Sequence, residues 1–345
     1  MLDVERLEDR LGRVWGLVGH LQSVKNTPDL REAHQKTQGP VVAFTNKYSQ
    51  SKALYEAFLR LREGQEWGSY ADAQKRILES NLREAQLAGV ALEDEKRQRF
   101  TAISQRLAEL STQFSNNVLD ATKAFQLLLT TAEEVDGLPP SLLAMAAETA
   151  RQAGETAANA DDGPWVITLD FPSFSPFMQH SRRRDLRETL FRAYVTRASD
   201  QSDTAVWDNL PVIEEILQLR HEQAQLLGFD NFAEMSLSRK MAPSVEAVFD
   251  LLYELRDKSH AAGKRDLADI VALAREHGAP EADDFRPWDT AFWAERLREQ
   301  KYELNEEELR PYFALPRVLD GMFSLVEMLF DIQVQETSNP VPVWH

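Results

Sequence analysis

FTAISQRLAELSTQFSNNVLDATKAFQLL, residues 100–128, is the stretch that decides the fold. Its apolar residues recur in alternating steps of three and four, and neither Gly nor Pro interrupts the pattern. This spacing places them on one face of a single long α-helix. Such a stripe needs a long partner, so we predict a packing seam against the preceding helices and not a cofactor or partner site. The positions on the stripe are Phe100, Ile103, Leu107, Leu110, Phe114, Val118, Ala121, Phe125 and Leu128.

The segments before this helix also follow the helical period. Thr27-Pro28-Asp29 predicts an N-cap followed by Pro at the first helical position. Gly39-Pro40 predicts a break, after which a new helix is expected over residues 41–62. A further helix is expected to start at Ser69 and to end at Gly89 as a left-handed C-cap.

Two extended segments are expected among the later helices. Residues 165–170, WVITLD, are the best strand candidate, and Pro172 and Pro176 predict that this strand lies at a sheet edge. Residues 331–337 alternate apolar and polar side chains, and a second extended piece begins at residue 341. Further helices are expected over residues 182–197, 209–228 and 245–274, the last with a break near Gly263.

The pattern as a whole predicts an all-α fold class, an elongated multi-helix body with a few short strands near residues 165–170 and 331–345. Two regions are expected. Residues 1–160 form an N-terminal helical region with long antiparallel helices, and residues 161–345 form a second helical region with the short strands. No repeat recurs at a fixed period, which counts against a simple helical solenoid.

Composition and charge exclude several classes of function. The 345 residues include no Cys, so disulfides and thiolate metal sites are excluded, and any metal would need His or carboxylate ligands. The net charge of −17 repels phosphate backbones, so no nucleic-acid partner is expected. No apolar run approaches the ~20 residues of a membrane span, and no secretory segment opens the chain. We therefore predict a cytoplasmic protein without a membrane partner.

One helical segment comes near to a metallopeptidase motif. His221-Glu222-Gln223-Ala224-Gln225 pairs a His with a Glu, but a zinc helix needs a second His at the fourth position, where Gln225 stands. Because Gln is a neutral and poor zinc ligand, we interpret this segment as a near-match to the motif and not as a zinc site. His221 is expected to flank an apolar stripe formed by Ile213, Leu217, Ala224 and Leu227.

The other candidate residues are dispersed. His180 precedes the one concentrated basic run, Arg182-Arg183-Arg184, whose Arg residues are expected to be solvated or paired with nearby acids. The alternative for this run is a patch that binds a peptide carboxylate. No nucleophile elbow or phosphate-binding glycine motif occurs. We assign no catalytic and no metal residue, and the substrate-binding residues are unknown. The remaining His residues, expected in structural or surface positions, are His20, His34, His260, His277 and His345.

Several segments nevertheless carry a specific resemblance. ILQLRHEQAQLLGFDNFAE at residues 216–234 and DLRETLFRAYVTRA at residues 185–198 resemble the zinc oligopeptidases of the thimet oligopeptidase, neurolysin and oligopeptidase A family. The agreement continues in order over essentially the whole chain. The start resembles the bacterial oligopeptidase A branch most. The other matching segments are WGLVGHL (15–21), LREA (30–33), KMA (240–242), WD (288–289), RPYF (310–313) and VLDGMF (318–323).

This resemblance implies a helical fold with two lobes around a deep channel, one zinc bound by a His-Glu-x-x-His helix plus a later Glu, and cleavage of short peptides. The motif is absent here, so the chain is expected to be a portion of a monomeric parent enzyme, truncated before the zinc helix. We expect the catalytic lobe to be incomplete, no zinc within this span, and no activity of the 345 residues alone. The alternatives are a non-catalytic helical peptide-binding protein and an assembly module.

Overall fold

The computed structural model describes residues 2–202, 205–303 and 306–338, and it confirms the mainly helical fold class. Two short strands, β1 (Leu127–Leu129) and β2 (Trp165–Ile167), pair antiparallel with Leu128 opposite Val166. Single 3-10 turns cover Gln65–Ser69, Ala205–Trp207, Pro280–Asp283 and Arg310–Phe313. The helices are α1 (Leu2–Val24), α2 (Pro28–Ser49), α3 (Lys52–Glu63), α4 (Asp72–Leu87), α5 (Asp94–Ala124), α6 (Pro140–Gln152), α7 (Phe171–His180), α8 (Arg184–Thr196), α9 (Leu210–Leu226), α10 (Phe232–Leu237), α11 (Val245–Glu276), α12 (Pro287–Tyr302), α13 (Glu306–Leu309) and α14 (Leu315–Phe330).

The long helix α5 forms as predicted but ends four residues earlier than the stripe. Ile103 and Leu110 are buried in a cluster with Val212 and Leu219 of α9. The predicted contact with preceding helices is also present, because the Gln38 amide of α2 donates to the Ala108 carbonyl. The stripe's last position, Leu128, leaves the helix and joins β1. A short apolar run fits a strand as well as a helix, and pairing with β2 decides between them.

The helix boundaries in the first half depend on capping. Thr27 caps α2 as predicted, since its side-chain oxygen accepts from the Leu30 N–H at 3.3 Å. The predicted break at Gly39-Pro40 is wrong, because α2 continues through Pro40 to Ser49. The residue before a proline usually avoids the helical region because its Cβ meets the proline ring, and Gly39 has no Cβ. The chain breaks instead before Ser51, which caps α3.

Left-handed glycines and prolines account for other boundaries. Gly89, with φ of +86°, follows α4 as the predicted left-handed residue. The expected break near Gly263 is wrong, because α11 runs without interruption from Val245 to Glu276. β2 is an edge strand as predicted, because the sheet has two strands, but Pro172 lies outside it in the first turn of α7, where its missing N–H costs no helical bond.

Of the two predicted strand regions, only the first contains a strand among the described residues. β2 covers Trp165–Ile167 within the predicted residues 165–170. Residues 332–337 have no regular secondary structure, so the predicted strand there is wrong for the described part of the tail. Alternation alone does not make a strand when no partner strand lies beside it. The predicted extended piece from residue 341 and His345 lie outside the described residues.

The chain contacts divide the molecule into two compact units. Among the described residues, unit 1 comprises those up to Ser115 and Leu210–Phe249, and unit 2 comprises Asn116–Asn209 and residues 250–338. The segments of the two units alternate along the chain, whereas the predicted regions 1–160 and 161–345 are each continuous. The division into these two regions stays a prediction. Unit 2 contains the largest buried apolar cluster, built on α6, β2, α7 and α8. None of the helices in the described residues is long and apolar enough to cross a membrane.

Candidate functional site

The near-motif on α9 is engaged in contacts of its own. The Glu222 carboxylate accepts two hydrogen bonds from the Arg99 guanidinium, from Nε and Nη2, each at 2.6 Å. These bonds lower the pKa of Glu222 below its ordinary value. The Gln225 side-chain amide donates to the Asp230 carbonyl at 2.9 Å. Neither Glu222 nor Gln225 is therefore available as a second metal ligand beside His221. The bonds between Arg99 and Glu222 instead connect α5 to α9 within unit 1.

The apolar stripe predicted beside His221 is only partly correct. Ala224 is fully buried, but Leu217 is 60% exposed and Ile213 is also exposed. The buried face of α9 passes instead through Val212 and Leu219, which pack against α5. His221 lies on the exposed side of the helix, with Leu217 one turn before it.

The remaining His residues occupy separate places in the fold. His34 is buried, its ring stacks on Trp15 at 4.8 Å between centroids, and burial lowers the pKa of His34. The Nδ1 atom of His277 lies 3.0 Å from the Leu273 carbonyl oxygen, and its ring packs against Trp293. His260 is exposed on α11. Within the described residues, no three His, Asp or Glu side chains are grouped so that they could hold a metal ion.

The basic run at residues 182–184 is paired with acids. Arg182 reaches Asp136 at 3.3 Å, and Arg183 forms two hydrogen bonds with Asp185, at 3.0 and 2.7 Å. The pKa of Asp185 is lowered, chiefly by these bonds. Arg184 reaches into the fold. The structure thus favours the interpretation of this run as ion pairs over that of a free carboxylate-binding patch.

Arg184 leads to a buried ion-pair cluster that the sequence did not reveal. Arg187 of α8 is 1% exposed and Asp289 of α12 is 0% exposed, and Arg187 Nη2 donates to Asp289 Oδ1 at 3.0 Å. Arg184 donates to the same carboxylate from Nε at 3.0 Å and from Nη2 at 2.9 Å. The backbone N–H of Arg286 also donates to Asp289, to Oδ2 at 3.0 Å. Asp289 therefore ties α8 to the first turn of α12.

The guanidinium of Arg187 has partners on every side. It donates to the carbonyls of Ser181 at 2.8 Å and Trp288 at 3.2 Å, and its carbon lies 4.2 Å from the centre of the Phe292 ring. Burial lowers the pKa of Arg187, while the bond to Asp289 opposes that shift. Because these donors and acceptors satisfy one another, we interpret the cluster as a structural contact that holds α8 against α12 and not as a site of proton transfer.

A cavity of about 490 Å³ lies within unit 2, next to the C-terminal end of α8. Its walls combine apolar groups, among them Phe125 and Leu169, with polar ones. Two Arg residues of α8 and its C-cap, Arg192 and Arg197, line it together with Trp207. Arg192 and Arg197 belong to residues 185–198, which resemble the oligopeptidase family, but the spacing of the lining residues did not indicate a cavity.

Comparisons with known proteins match most of the chain. Residues 177–345 match the family described as Peptidase family M3, and residues 2–97 match the Neurolysin/Thimet oligopeptidase N-terminal domain. The chain is also 41% identical over 341 residues, 98% of its length, to Oligopeptidase A of Escherichia coli. The chain belongs to peptidase family M3. The resemblance inferred from the sequence is thereby confirmed.

Relatives of this M3 chain include two proteins of Arabidopsis thaliana. One is a probable cytosolic oligopeptidase A, 48% identical over 99% of this chain, and the other is an organellar oligopeptidase A, chloroplastic/mitochondrial, also 48% identical over 99%. The M3 chain spans less than half the length of these relatives: 48% of the cytosolic protein, 43% of the organellar protein and 48% of the Escherichia coli protein.

Proposed function

We propose that this chain is part of a zinc metallo-oligopeptidase that hydrolyses internal bonds of short peptides. In this proposal the 345 residues supply channel wall and framework. The catalytic residues lie in a further part of the protein, which corresponds to the additional length of the relatives. The observation that carries the proposal is the 41–48% identity to oligopeptidase A proteins along 98–99% of the chain.

The residues of this chain do not fit a hydrolytic zinc ion. Such a site needs two imidazoles one helical turn apart, and no His-Glu-x-x-His segment occurs in the 345 residues. The nearest segment offers the Glu222 carboxylate, already bound to Arg99, and the Gln225 amide, already bound to a backbone carbonyl. We therefore place the one zinc ion outside this span and derive no catalytic step from the residues described.

The surface of α14 supports a role as framework for further protein. None of the side chains on this apolar helix is buried, and Met328 and Phe330 are among those that are largely exposed. An apolar patch of this kind marks a surface that another protein segment covers. In the proposed enzyme, that segment belongs to the remainder of the same polypeptide.

Partners and location are further parts of this proposal. We propose short peptides as substrates, no nucleic acid or membrane as partner, a monomer as the working form, and the cytoplasm as the compartment. The cytosolic relative supports this compartment, whereas the organellar relative shows that close homologues also work elsewhere.

A chimera tests the proposed function. The aligned 341 residues of Escherichia coli Oligopeptidase A are replaced by this chain, and the parent enzyme serves as control. Because the chain would supply an equivalent framework, we expect the chimera to hold one zinc ion and to cleave a quenched-fluorescent peptide until a chelator is added. A folded, zinc-loaded chimera that cleaves no peptide would contradict the proposal and favour the non-catalytic peptide-binding alternative.

A further inference from the structure

The two guanidinium groups that line the cavity of unit 2 differ in how their charges are balanced. Arg192 donates from Nε to Glu188 Oε1 at 2.7 Å and lies over the Trp288 ring. Its charge is therefore compensated by a carboxylate. Arg197 has no carboxylate within 4 Å among the described residues. The cavity thus contains one cation whose counter-ion the described part of the chain does not supply.

Arg197 is also held in place by its neighbours. Its Nη1 donates to the Tyr194 carbonyl, and its guanidinium carbon lies 3.9 Å from the centre of the Tyr194 ring. Tyr194 in turn stacks on Phe174 with 4.1 Å between ring centroids. This stack fixes one face and one nitrogen of the guanidinium. Because Arg presents several N–H donors in a rigid fork, the remaining edge is oriented before any ligand arrives.

The backbone after Arg197 shows a matching constraint. Ala198 has a φ of +53°, a left-handed conformation that an Ala side chain disfavours. Its carbonyl accepts from the Asn209 N–H at 3.1 Å, and Ala198 is buried. Non-glycine residues in this conformation persist where the surrounding structure over-determines them, often at ligand sites. Here the constraint sets the point at which the chain leaves α8 beside the cavity.

We propose that Arg197 binds the terminal α-carboxylate of a short peptide in this cavity. The free edge of its guanidinium matches the two oxygens of a carboxylate, and the Gln201 side chain on the rim offers an additional amide. The Phe125 and Trp207 side chains supply apolar surface for the last side chain of the peptide. A volume of about 490 Å³ admits the end of a peptide and not a folded chain.

This inference rests on the proposed function for the peptide nature of the ligand, whereas the preference for a carboxylate rests on the cavity alone. The test is isothermal titration calorimetry of the whole 345-residue chain with a tetrapeptide ending in Leu. The same peptide is measured with a free C-terminal carboxylate and as its C-terminal amide. We expect the amide to bind at least about tenfold more weakly, because a charge-assisted pair with Arg is lost.

Variants assign the preference to one residue. Arg197→Gln is expected to weaken binding of the free acid by about tenfold and to leave binding of the amide unchanged. Arg197→Lys keeps the charge without the fork and should retain part of the preference. Arg239→Gln, which removes an exposed Arg of unit 1 paired with Glu84, is the matched control and should bind as the unchanged chain does.

Several results would overturn the inference. Equal affinity for acid and amide, no measurable binding of either peptide, or an unchanged preference in Arg197→Gln would each do so. Acetate that competes as strongly as the peptide would show a site for small carboxylates and would overturn the assignment to peptides. The comparison of acid with amide uses the unmodified chain, so it decides even where a variant fails to fold. An inactive chimera beside an intact carboxylate preference would remove the proposed function and leave the site.

Discussion

Replacing Asp289 by Ala is expected to destabilise the chain by about 3–5 kcal/mol, the usual cost of breaking a buried ion pair. The substitution removes the acceptor of Arg187 and Arg184 and leaves Arg187, which is 1% exposed, with only the more distant Glu281 carboxylate, 3.7 Å away, to balance its buried charge. It also removes the oxygen that accepts the Arg286 N–H at the start of α12. Urea unfolding followed by circular dichroism measures the change, and near-ultraviolet spectra report whether the Trp residues beside the cluster repack.

Asp185→Ala is the matched control for this experiment. It breaks a bidentate pair with Arg183 that has similar geometry but lies in solvent, so we expect a loss of about 1 kcal/mol or less. A double variant, Arg187→Met with Asp289→Leu, should recover part of the stability because the two most deeply buried charges are removed together, whereas Glu281 and Arg184 each lose a partner. Similar losses in the free energy of unfolding for Asp289→Ala and Asp185→Ala would contradict the view that the buried cluster stabilises the packing of α8 on α12.

Gly137→Ala is expected to have the second large effect, because two costs fall on the same residue. Gly137 has a φ of +87°, which costs an Ala roughly 1–2 kcal/mol. An added Cβ would also lie 2.5 Å from the His180 carbonyl oxygen, a backbone atom that cannot rotate away. Overpacking of this kind costs about 1–3 kcal/mol more. The loop before α6 and the end of α7 should therefore separate, with a lower urea midpoint for the whole transition.

Gly154→Ala separates the two costs. Gly154 also has a positive φ, of +111°, but an added Cβ would meet no atom within 4 Å. We expect only the conformational cost there, so the difference between the two variants isolates the clash with His180. If Gly154→Ala were as destabilising as Gly137→Ala, the clash of the added Cβ with the His180 carbonyl oxygen would not contribute to the loss of stability.

Much of the fold could be predicted from the sequence because the signals are local. The three- and four-residue spacing gave α5, and the caps at Thr27 and Gly89 mark helix ends as observed. The errors arise where a distant partner decides the outcome. The Leu127–Leu129 run became a strand because β2 lies beside it, and residues 332–337 did not because no strand pairs with them in the described part of the chain.

The candidate sites show the same division. The mismatch at Gln225 could be recognised from spacing alone, because a zinc helix has a strict requirement at the fourth position. The pair of Arg187 and Asp289 could not, since their 102-residue separation is bridged only by the packing of α8 on α12. Arg197 belongs to residues 185–198, which resemble the oligopeptidase family, yet its stacking on Tyr194 and its position at the cavity depend on the folded structure.

The zinc content of the isolated chain tests the central claim most directly. The 345-residue chain is purified without an affinity tag, incubated with zinc, dialysed and analysed for bound metal, with peptide cleavage measured on the same sample. Since its own residues provide no pair of imidazoles one helical turn apart, we predict far less than one zinc ion per chain and no chelator-sensitive cleavage. One tightly held zinc ion per chain, accompanied by cleavage that a chelator abolishes, would contradict the account.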